Sequence, residues 1–175
     1  RQLGKTGRRA SAQSQGQDNT PVRPYIAPKS YSAEETLPED TADPELIREQ
    51  LLRQAERLGE ELRQDNFKGQ TISLKLKYAD FQQINRSHTL GLATDSTQII
   101  FHTALKLLSE IKLRRKIKLV GIGVANLQPR QVQGVLLPDP RLERQERLEA
   151  TIDRIRKKFG PQALFRGGWK KLPKP

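Results

Sequence analysis

Two lysines that stand two residues apart are the part of the sequence best suited to binding chemistry. Lys75 and Lys77 lie within residues 71–78, where apolar and polar side chains alternate. This alternation is typical of a strand, and it places both ammonium groups on one face, roughly 6.5–7 Å apart. Such a spacing suits the phosphates of a nucleic-acid strand. The pair therefore predicts contact with a polyanion backbone.

Other residue types that bind phosphate accompany these lysines in the neighbouring predicted strands. Basic groups and hydroxyls are the usual donors to phosphate, and glycines let a backbone approach a ligand closely. Glu34 is discordant, because alternation places its carboxylate on the same face as Ser32, where it would repel a phosphate. The further candidates for backbone contact are Lys29, Ser30, Ser32, Arg86, Ser87, Thr89, Gly121 and Gly123.

The overall charge supports a polyanionic partner. The 175 residues include 32 Lys and Arg and only 20 Asp and Glu, which gives a formal net charge of +12. A large positive charge of this kind points first to nucleic acid. A lysine-rich strand face can also serve solubility alone, but the agreement of three predicted strands with the net charge favours binding.

Catalytic chemistry has little support in the residues themselves. The chain has no cysteine, which excludes disulfides, thiolate metal sites and cysteine nucleophiles. Neither His88 nor His102 has a carboxylate at metal-ligand spacing, and we interpret both as surface residues. Gly121-Ile122-Gly123 falls inside a predicted strand, unlike a phosphate-binding loop. The chain by its own residues is therefore not predicted to be an enzyme.

No segment of the sequence suits a membrane. The longest nearly uninterrupted apolar run, 119–127, is far shorter than the roughly 20 residues that a membrane helix needs. The basic, polar start of the chain does not resemble a secretory signal. We therefore expect a cytoplasmic protein without a membrane partner. Methionine is absent throughout, so we also expect the chain to be part of something longer.

The elements that must position the candidate residues follow from apolar periodicity. Strands are predicted near 29–36, 71–78, 81–90 and 119–125. The third strand is expected to bulge near 82–84, and helices are expected after the capping residues Asp43 and either Asp95 or Ser96. The predicted fold class is α+β in the order β-α-β-β-α-β, a four-stranded, mostly antiparallel sheet with two helices on one face. The other face is left as the working surface.

Linkers and a tail surround this predicted domain. Residues 1–28 show no useful period and are predicted to be a basic linker, whereas 29–127 form the folded domain. Residues 128–140 are predicted to be a second linker, and 141–175 a helical tail that becomes disordered from Gly167. The tail helix is expected to pack through an apolar stripe of Leu148, Ile152, Ile155 and Phe159.

Several motifs along the chain, which follow one another in the order found in the family, resemble the little-finger domain of Y-family DNA polymerases, most closely that of bacterial DNA polymerase IV. The stretch Thr71-Ile72-Ser73-Leu74-Lys75-Leu76-Lys77-Tyr78-Ala79-Asp80-Phe81 is similar to the strand and hairpin of that domain. Residues 4–7 and 16–22 look like the end of the preceding thumb and its tether. The other similar segments are 29–37 with Asp43-Pro44, 84–90, 120–127 and, in the tail, 152–160.

The resemblance implies binding of template–primer duplex DNA, without sequence readout, during error-prone translesion synthesis in DNA damage tolerance and repair. In the family the domain lays its sheet on DNA beside a catalytic core, so duplex DNA and that core are the implied partners. The parent would be a magnesium-dependent nucleotidyltransferase of the bacterial cytoplasm and nucleoid. The metal-binding carboxylates of that activity belong to the palm, which is missing here, so no cofactor is expected in this chain.

The resemblance also implies a peptide that binds the sliding clamp, placed after the domain. Its counterpart here is 133–137, with Gln133, Val135, Leu136 and Leu137 as the contact residues. A stand-alone clamp adaptor is therefore an alternative function. An RNA-binding module is another, because it shares the order β-α-β-β-α-β, although the polar strand faces here lack the aromatics that would stack bases.

Overall fold

The computed structural model describes residues 4–18, 21, 27–113, 115–130 and 140–164. Within these ranges the chain forms four helices and four strands, and the six central elements follow the predicted order β-α-β-β-α-β. The elements are α1 Gly4–Ser14, β1 Ser30–Thr41, α2 Pro44–Gln64, β2 Phe67–Tyr78, β3 Gln83–Thr94, α3 Thr97–Ser109, β4 Ile117–Pro129 and α4 Pro140–Phe159. A short 3₁₀ helix, Pro161–Ala163, follows α4.

The two helices that cover the sheet begin at capping residues that the sequence indicates. The side chain of Asp43 accepts a 2.9 Å hydrogen bond from the backbone N–H of Glu45 at the start of α2. The hydroxyl of Ser96 accepts a 3.4 Å hydrogen bond from the N–H of Ile99, so Ser96, and not Asp95, caps α3. Each cap satisfies a backbone donor that has no partner within the helix.

The sheet has the strand order β1-β4-β2-β3, and each neighbouring pair is antiparallel. Both α2 and α3 pack on one of its faces and close a single core, which confirms the predicted fold class. The large side chains that are fully buried at this contact are Ile47, Leu51, Leu58 and Leu62 of α2, Ile100 of α3, Ile72, Leu74 and Leu76 of β2, and Ile117, Val120, Ile122 and Val124 of β4.

The hairpin between β2 and β3 differs from the prediction in where it turns and where it is irregular. Phe81 lies in the turn and not in β3, because the N–H of Tyr78 donates a 2.8 Å hydrogen bond to the carbonyl of Gln82 and closes the loop between them. Beyond this turn the ladder is regular over 83–89, so the bulge expected near 82–84 is absent. The pairing with β2 shifts only after this stretch, toward the end of β3.

The tail helix α4 packs differently from the prediction. Ile152 is buried as expected, but Leu148 and Phe159 are 54% and 67% exposed, so the apolar stripe is wrong at both positions. A buried arginine of α2 holds the helix instead, since Arg63 donates hydrogen bonds of 2.6 and 2.9 Å to the two carboxylate oxygens of Asp153. The contact between α4 and the domain is therefore largely polar.

Residues 4–14 form a helix that periodicity does not predict. None of the residues in α1 is buried, and the segment carries no apolar stripe for a period analysis to detect. The assignment of this segment to a linker stays a prediction. The domain boundaries stay predictions, and the disordered end predicted from Gly167 lies outside the described residues. In the described ranges, no helix is long and apolar enough to cross a membrane.

Candidate nucleic-acid interface

The sheet face opposite α2 and α3 is built from alternate residues of all four strands, and we call it the open face. Residues paired across neighbouring antiparallel strands project to the same side, so the strand register defines its members. They are Ser30, Ser32, Glu34 and Thr36 of β1, Leu119, Gly121, Gly123 and Ala125 of β4, Thr71, Ser73, Lys75 and Lys77 of β2, and Gln83, Asn85, Ser87 and Thr89 of β3.

Hydroxyl groups line two adjacent rows that cross the open face from β1 to β3. One row contains Ser32, Gly123, Ser73 and Ser87, and the next contains Ser30, Ala125, Thr71 and Thr89. The hydroxyls of Thr71 and Thr89 lie 3.0 Å apart, and the side-chain amide of Asn126 donates a 2.8 Å hydrogen bond to Thr71. Because a hydroxyl can both donate and accept, these rows can turn donors toward phosphate oxygens.

An ion pair occupies the third row of the open face. The ammonium of Lys75 lies 2.7 and 2.9 Å from the two carboxylate oxygens of Glu34, and it reaches them across Gly121, which lies between them in the sheet. The carboxylate that seemed discordant in the sequence thus binds the lysine. Both side chains remain partly exposed, so the pair is accessible to a competing anion.

Because the glycines of β4 have no side chains, the centre of the open face is recessed relative to the strands on either side. A Cβ at Gly121 would lie 2.7 Å from Cγ of Glu34, and a Cβ at Gly123 would lie 2.6 Å from the hydroxyl oxygen of Ser73. Only glycine therefore lets these neighbouring side chains lie across β4. The result is a shallow depression of about 370 Å³, lined by Ser32, Glu34, Ser73, Lys75, Asn85 and Ser87.

Arg86 does not lie where the sequence places it. It pairs with Leu74, whose side chain is fully buried under the helices, so the Cβ of Arg86 starts on the helix side of the sheet. Its guanidinium is exposed at the edge strand and donates a 3.2 Å hydrogen bond to the carbonyl of Asn85. The Cβ of Arg86 therefore starts on the side of the sheet opposite Lys75, although Arg86 is among the residues that line the depression, and its contact with phosphate stays a prediction.

The described domain matches a known family. Residues 28–136 match the impB/mucB/samB family C-terminal domain, a match that includes the whole sheet with α2 and α3. The chain belongs to this family. The predicted resemblance to the little finger of Y-family DNA polymerases is thereby confirmed, and the sheet described above is the sheet of a little-finger domain.

Bacterial relatives of this little-finger domain carry the same name. The chain is 33% identical over 159 residues to DNA polymerase IV of Dehalococcoides mccartyi, covering 90% of this chain and 40% of the relative. It is 34% identical over 165 residues to DNA polymerase IV of Brucella melitensis, covering 94% and 37%. A third relative, from Clostridium perfringens, is 40% identical over 114 residues, covering 65% and 32%. The chain therefore spans about two fifths or less of the length of these relatives.

Most of the predicted contact residues lie together on the little finger's open face. Ser30, Ser32, Lys75, Lys77, Ser87, Thr89, Gly121 and Gly123 are all members, whereas Lys29 is exposed just before β1. The open-face polar residues that the sequence analysis did not name as contact candidates are Thr36, Thr71, Ser73, Gln83 and Asn85, although alternation already places Thr71 and Ser73 on the face of Lys75. Counting by twos from Lys75 and pairing the hairpin about its turn would have found the last four.

The predicted clamp contacts cannot be placed on this little finger. Gln133, Val135, Leu136 and Leu137 lie in 131–139, outside the described residues. They stay predictions.

Proposed function

We propose that the little finger binds template–primer duplex DNA through its open face, by contacts to the phosphate backbone and without sequence readout. The observation that carries this proposal is the composition of the open face. Seven of its members carry hydroxyls and two carry ammonium groups, and the depression at its centre is floored by glycine backbone. These are the groups that proteins use to hold a nucleic-acid backbone in register.

The same composition argues against the RNA-binding alternative. Modules that share this element order bind single strands by stacking bases on aromatic side chains of the central strands. None of the sixteen members of the open face is aromatic. Tyr78 and Tyr31 instead lie on the helix side, opposite Ile117 and Val124. The open face therefore favours backbone contact over base stacking.

The ion pair between Glu34 and Lys75 supports weak, adjustable contact. An exposed pair of this kind contributes about 0–1 kcal/mol. A phosphate that approaches Lys75 can therefore replace the carboxylate at small cost, and the glycine floor leaves room for the lysine to move. A domain that must slide along DNA of any sequence benefits from contacts that exchange in this way.

The proposal is tested by removing the two lysines of the open face together. Fluorescence anisotropy with a labelled primer–template duplex would be recorded over a salt series for the wild type and for Lys75→Ala/Lys77→Ala. Two lost phosphate contacts should weaken binding and reduce the slope of log K against log salt by about 2. The matched control is Lys106→Ala/Lys157→Ala, which removes two exposed lysines from α3 and α4. Equal losses in both variants, or no loss in the first, would contradict the proposal.

The wider role is also a proposal. Because the relatives are DNA polymerases IV, we infer that the domain works beside a catalytic core in translesion synthesis in the bacterial cytoplasm. Among the described residues no three His, Asp or Glu side chains group into a metal site, so any magnesium of the parent would be held elsewhere.

Contact of residues 133–137 with a sliding clamp is tested by pull-down with and without Leu136→Ala/Leu137→Ala.

A further inference from the structure

An exposed aromatic ring stands at one end of the open face, in the turn between β2 and β3. Phe81 is 64% exposed and its φ is +65°. A bulky side chain rarely adopts this left-handed conformation, which costs free energy unless the surroundings impose it. Here the N–H of Phe81 donates a 2.9 Å hydrogen bond to the carbonyl of Tyr78 and fixes the turn. The fold thus holds the ring in solvent at a conformational cost.

Two residues of the segment before β4, Arg115 and Lys116, brace this turn. The N–H of Ala79 donates a 3.0 Å hydrogen bond to the carbonyl of Lys116. The guanidinium of Arg115 binds the carboxylate of Asp80, donates a 2.9 Å hydrogen bond to the side chain of Gln82 and lies over the ring of Tyr78 at 4.4 Å. Arg115 neutralises Asp80, the acidic residue of the turn. The carboxylate of Asp80 is therefore compensated and does not compete for the ammonium groups around Phe81.

A bulge in β4 brings a second lysine to the ring. Lys77 of β2 pairs with Leu119, but the next residue, Tyr78, pairs with Ile117, so Lys118 is the extra residue of β4. Bulges re-aim side chains. The ammonium of Lys118 lies 5.5 Å from the ring centroid of Phe81, and that of Lys77 lies 4.9 Å from it. An exposed aromatic ring with two ammonium groups within 5.5 Å of its centroid therefore stands at this edge.

We propose that Phe81 is a stacking platform for one unpaired DNA base, and that Lys77 and Lys118 hold the phosphates on either side of that base. Aromatic rings in a cationic setting are the usual means of binding single strands, and stacking tolerates any base. Bases inside a duplex already stack on one another, so only an unpaired base can use the exposed ring. The inference rests on the proposed function, since it places single-stranded template next to the duplex on the open face.

The experiment uses the full chain with three probes, namely a blunt duplex, a 12-nucleotide oligothymidine, and a primer–template with 2-aminopurine at its first unpaired position. Phe81→Ala should lower affinity for the oligothymidine about fivefold or more. It should also abolish the 2-aminopurine quenching that we expect of the wild type, while blunt-duplex affinity stays within twofold. Phe81→Tyr should keep wild-type behaviour. Phe159→Ala is the matched control, because Phe159 is 67% exposed on α4 with an ammonium group 5.2 Å from its ring.

A second variant separates stacking from folding. Phe81→Asn removes the ring but suits a positive φ, so it should unfold at the same or a higher temperature and still lose single-strand affinity. Wild-type single-strand affinity in Phe81→Asn would overturn the proposal, as would an equal loss of blunt-duplex binding. If the wild type binds oligothymidine through Phe81 but does not bind the blunt duplex, the proposed function fails and the stacking site stands.

Discussion

At the scale of single residues, the ion pair between Glu34 and Lys75 controls how strongly the centre of the open face attracts a phosphate. The carboxylate cancels the ammonium charge locally, although the chain as a whole carries a net charge of +12. Both side chains are partly exposed, so solvent and salt screen the pair. Under the proposed function, DNA competes with Glu34 for the lysine, and Glu34 opposes the affinity that Lys75 supplies.

Removal of this carboxylate should therefore strengthen DNA binding. Glu34→Gln keeps the size of the side chain, releases Lys75 and deletes a negative charge that faces the phosphates. We expect severalfold tighter binding of a primer–template duplex, with a salt slope close to that of the wild type, because Lys75 contacts a phosphate in both proteins and only the competing carboxylate is lost. The anisotropy titration described above measures both quantities. Glu110→Gln, which removes an exposed carboxylate just after α3, should change neither. Weaker binding by Glu34→Gln would show that the carboxylate serves the interface.

The residues also show where sequence reasoning succeeds and fails within this site. The alternation around Lys75 correctly placed both lysines on one face, because side chains in a strand repeat every two residues. Arg86 and Ser87 were grouped as phosphate donors of the same strand, but adjacent residues of a strand project to opposite sides, so only Ser87 lies on the face of Lys75. The pairing of Glu34 with Lys75 depends on the strand order β1-β4-β2, which no local pattern in the sequence contains.

At the scale of elements, one buried arginine attaches the tail helix to the domain. Arg63 of α2 binds both oxygens of Asp153, lies 3.5 Å from Glu149, and donates a 2.7 Å hydrogen bond to the carbonyl of Asp95. Burial lowers the pKa of the Arg63 guanidinium, but the hydrogen bond and charge of Asp153, with the charges of Glu149 and Asp95, raise it above its ordinary value. The guanidinium therefore stays charged, and α4 depends on it.

Loss of this arginine should destabilise the domain and release α4. Arg63→Ala leaves the carboxylates of Asp153 and Glu149 without their cation, and breaking a buried pair in this way costs about 3–5 kcal/mol. Urea unfolding would measure the loss, and hydrogen exchange would show faster exchange in α4 than in the sheet. Arg57→Ala, an exposed i,i+4 partner of Glu61 on the same helix, should stay within about 0.5 kcal/mol of wild type. Equal stability of the two variants would contradict this role.

Elements with a strong local signal were predicted well, and those held by distant contacts were not. Asp43 and Ser96 begin their helices because capping is a short-range interaction. The stripe of α4 was predicted as an apolar contact because periodicity ignores charge, whereas the helix docks through Arg63 and through Arg156, which binds Glu56 at 3.0 Å. Phe81 was placed in a strand because its residue type favours one, and the turn overrode that preference.

At the scale of the whole molecule, the fold places the hydrophobic core on one side of the sheet and the open face on the other. The described helices that pack on the sheet, α2 and α3, cover one side, so the core lies there, and the open face carries polar side chains from β1, β2 and β3 around the glycines of β4. This one-sided arrangement is what backbone binding needs, because a face that makes no contribution to the core can exchange its contacts without loss of stability. The account therefore predicts that DNA meets the sheet and not the helices.

The most direct test of that central claim is chemical footprinting of the lysines. The full chain would be acetylated at limiting reagent with and without a primer–template duplex, and the modification of each lysine quantified by mass spectrometry. We predict that DNA protects Lys75 and Lys77 strongly, while Lys106 of α3 and Lys157 of α4 react as in the free protein. Protection of the helix lysines, with Lys75 and Lys77 unchanged, would contradict the assignment of the open face as the DNA-binding surface.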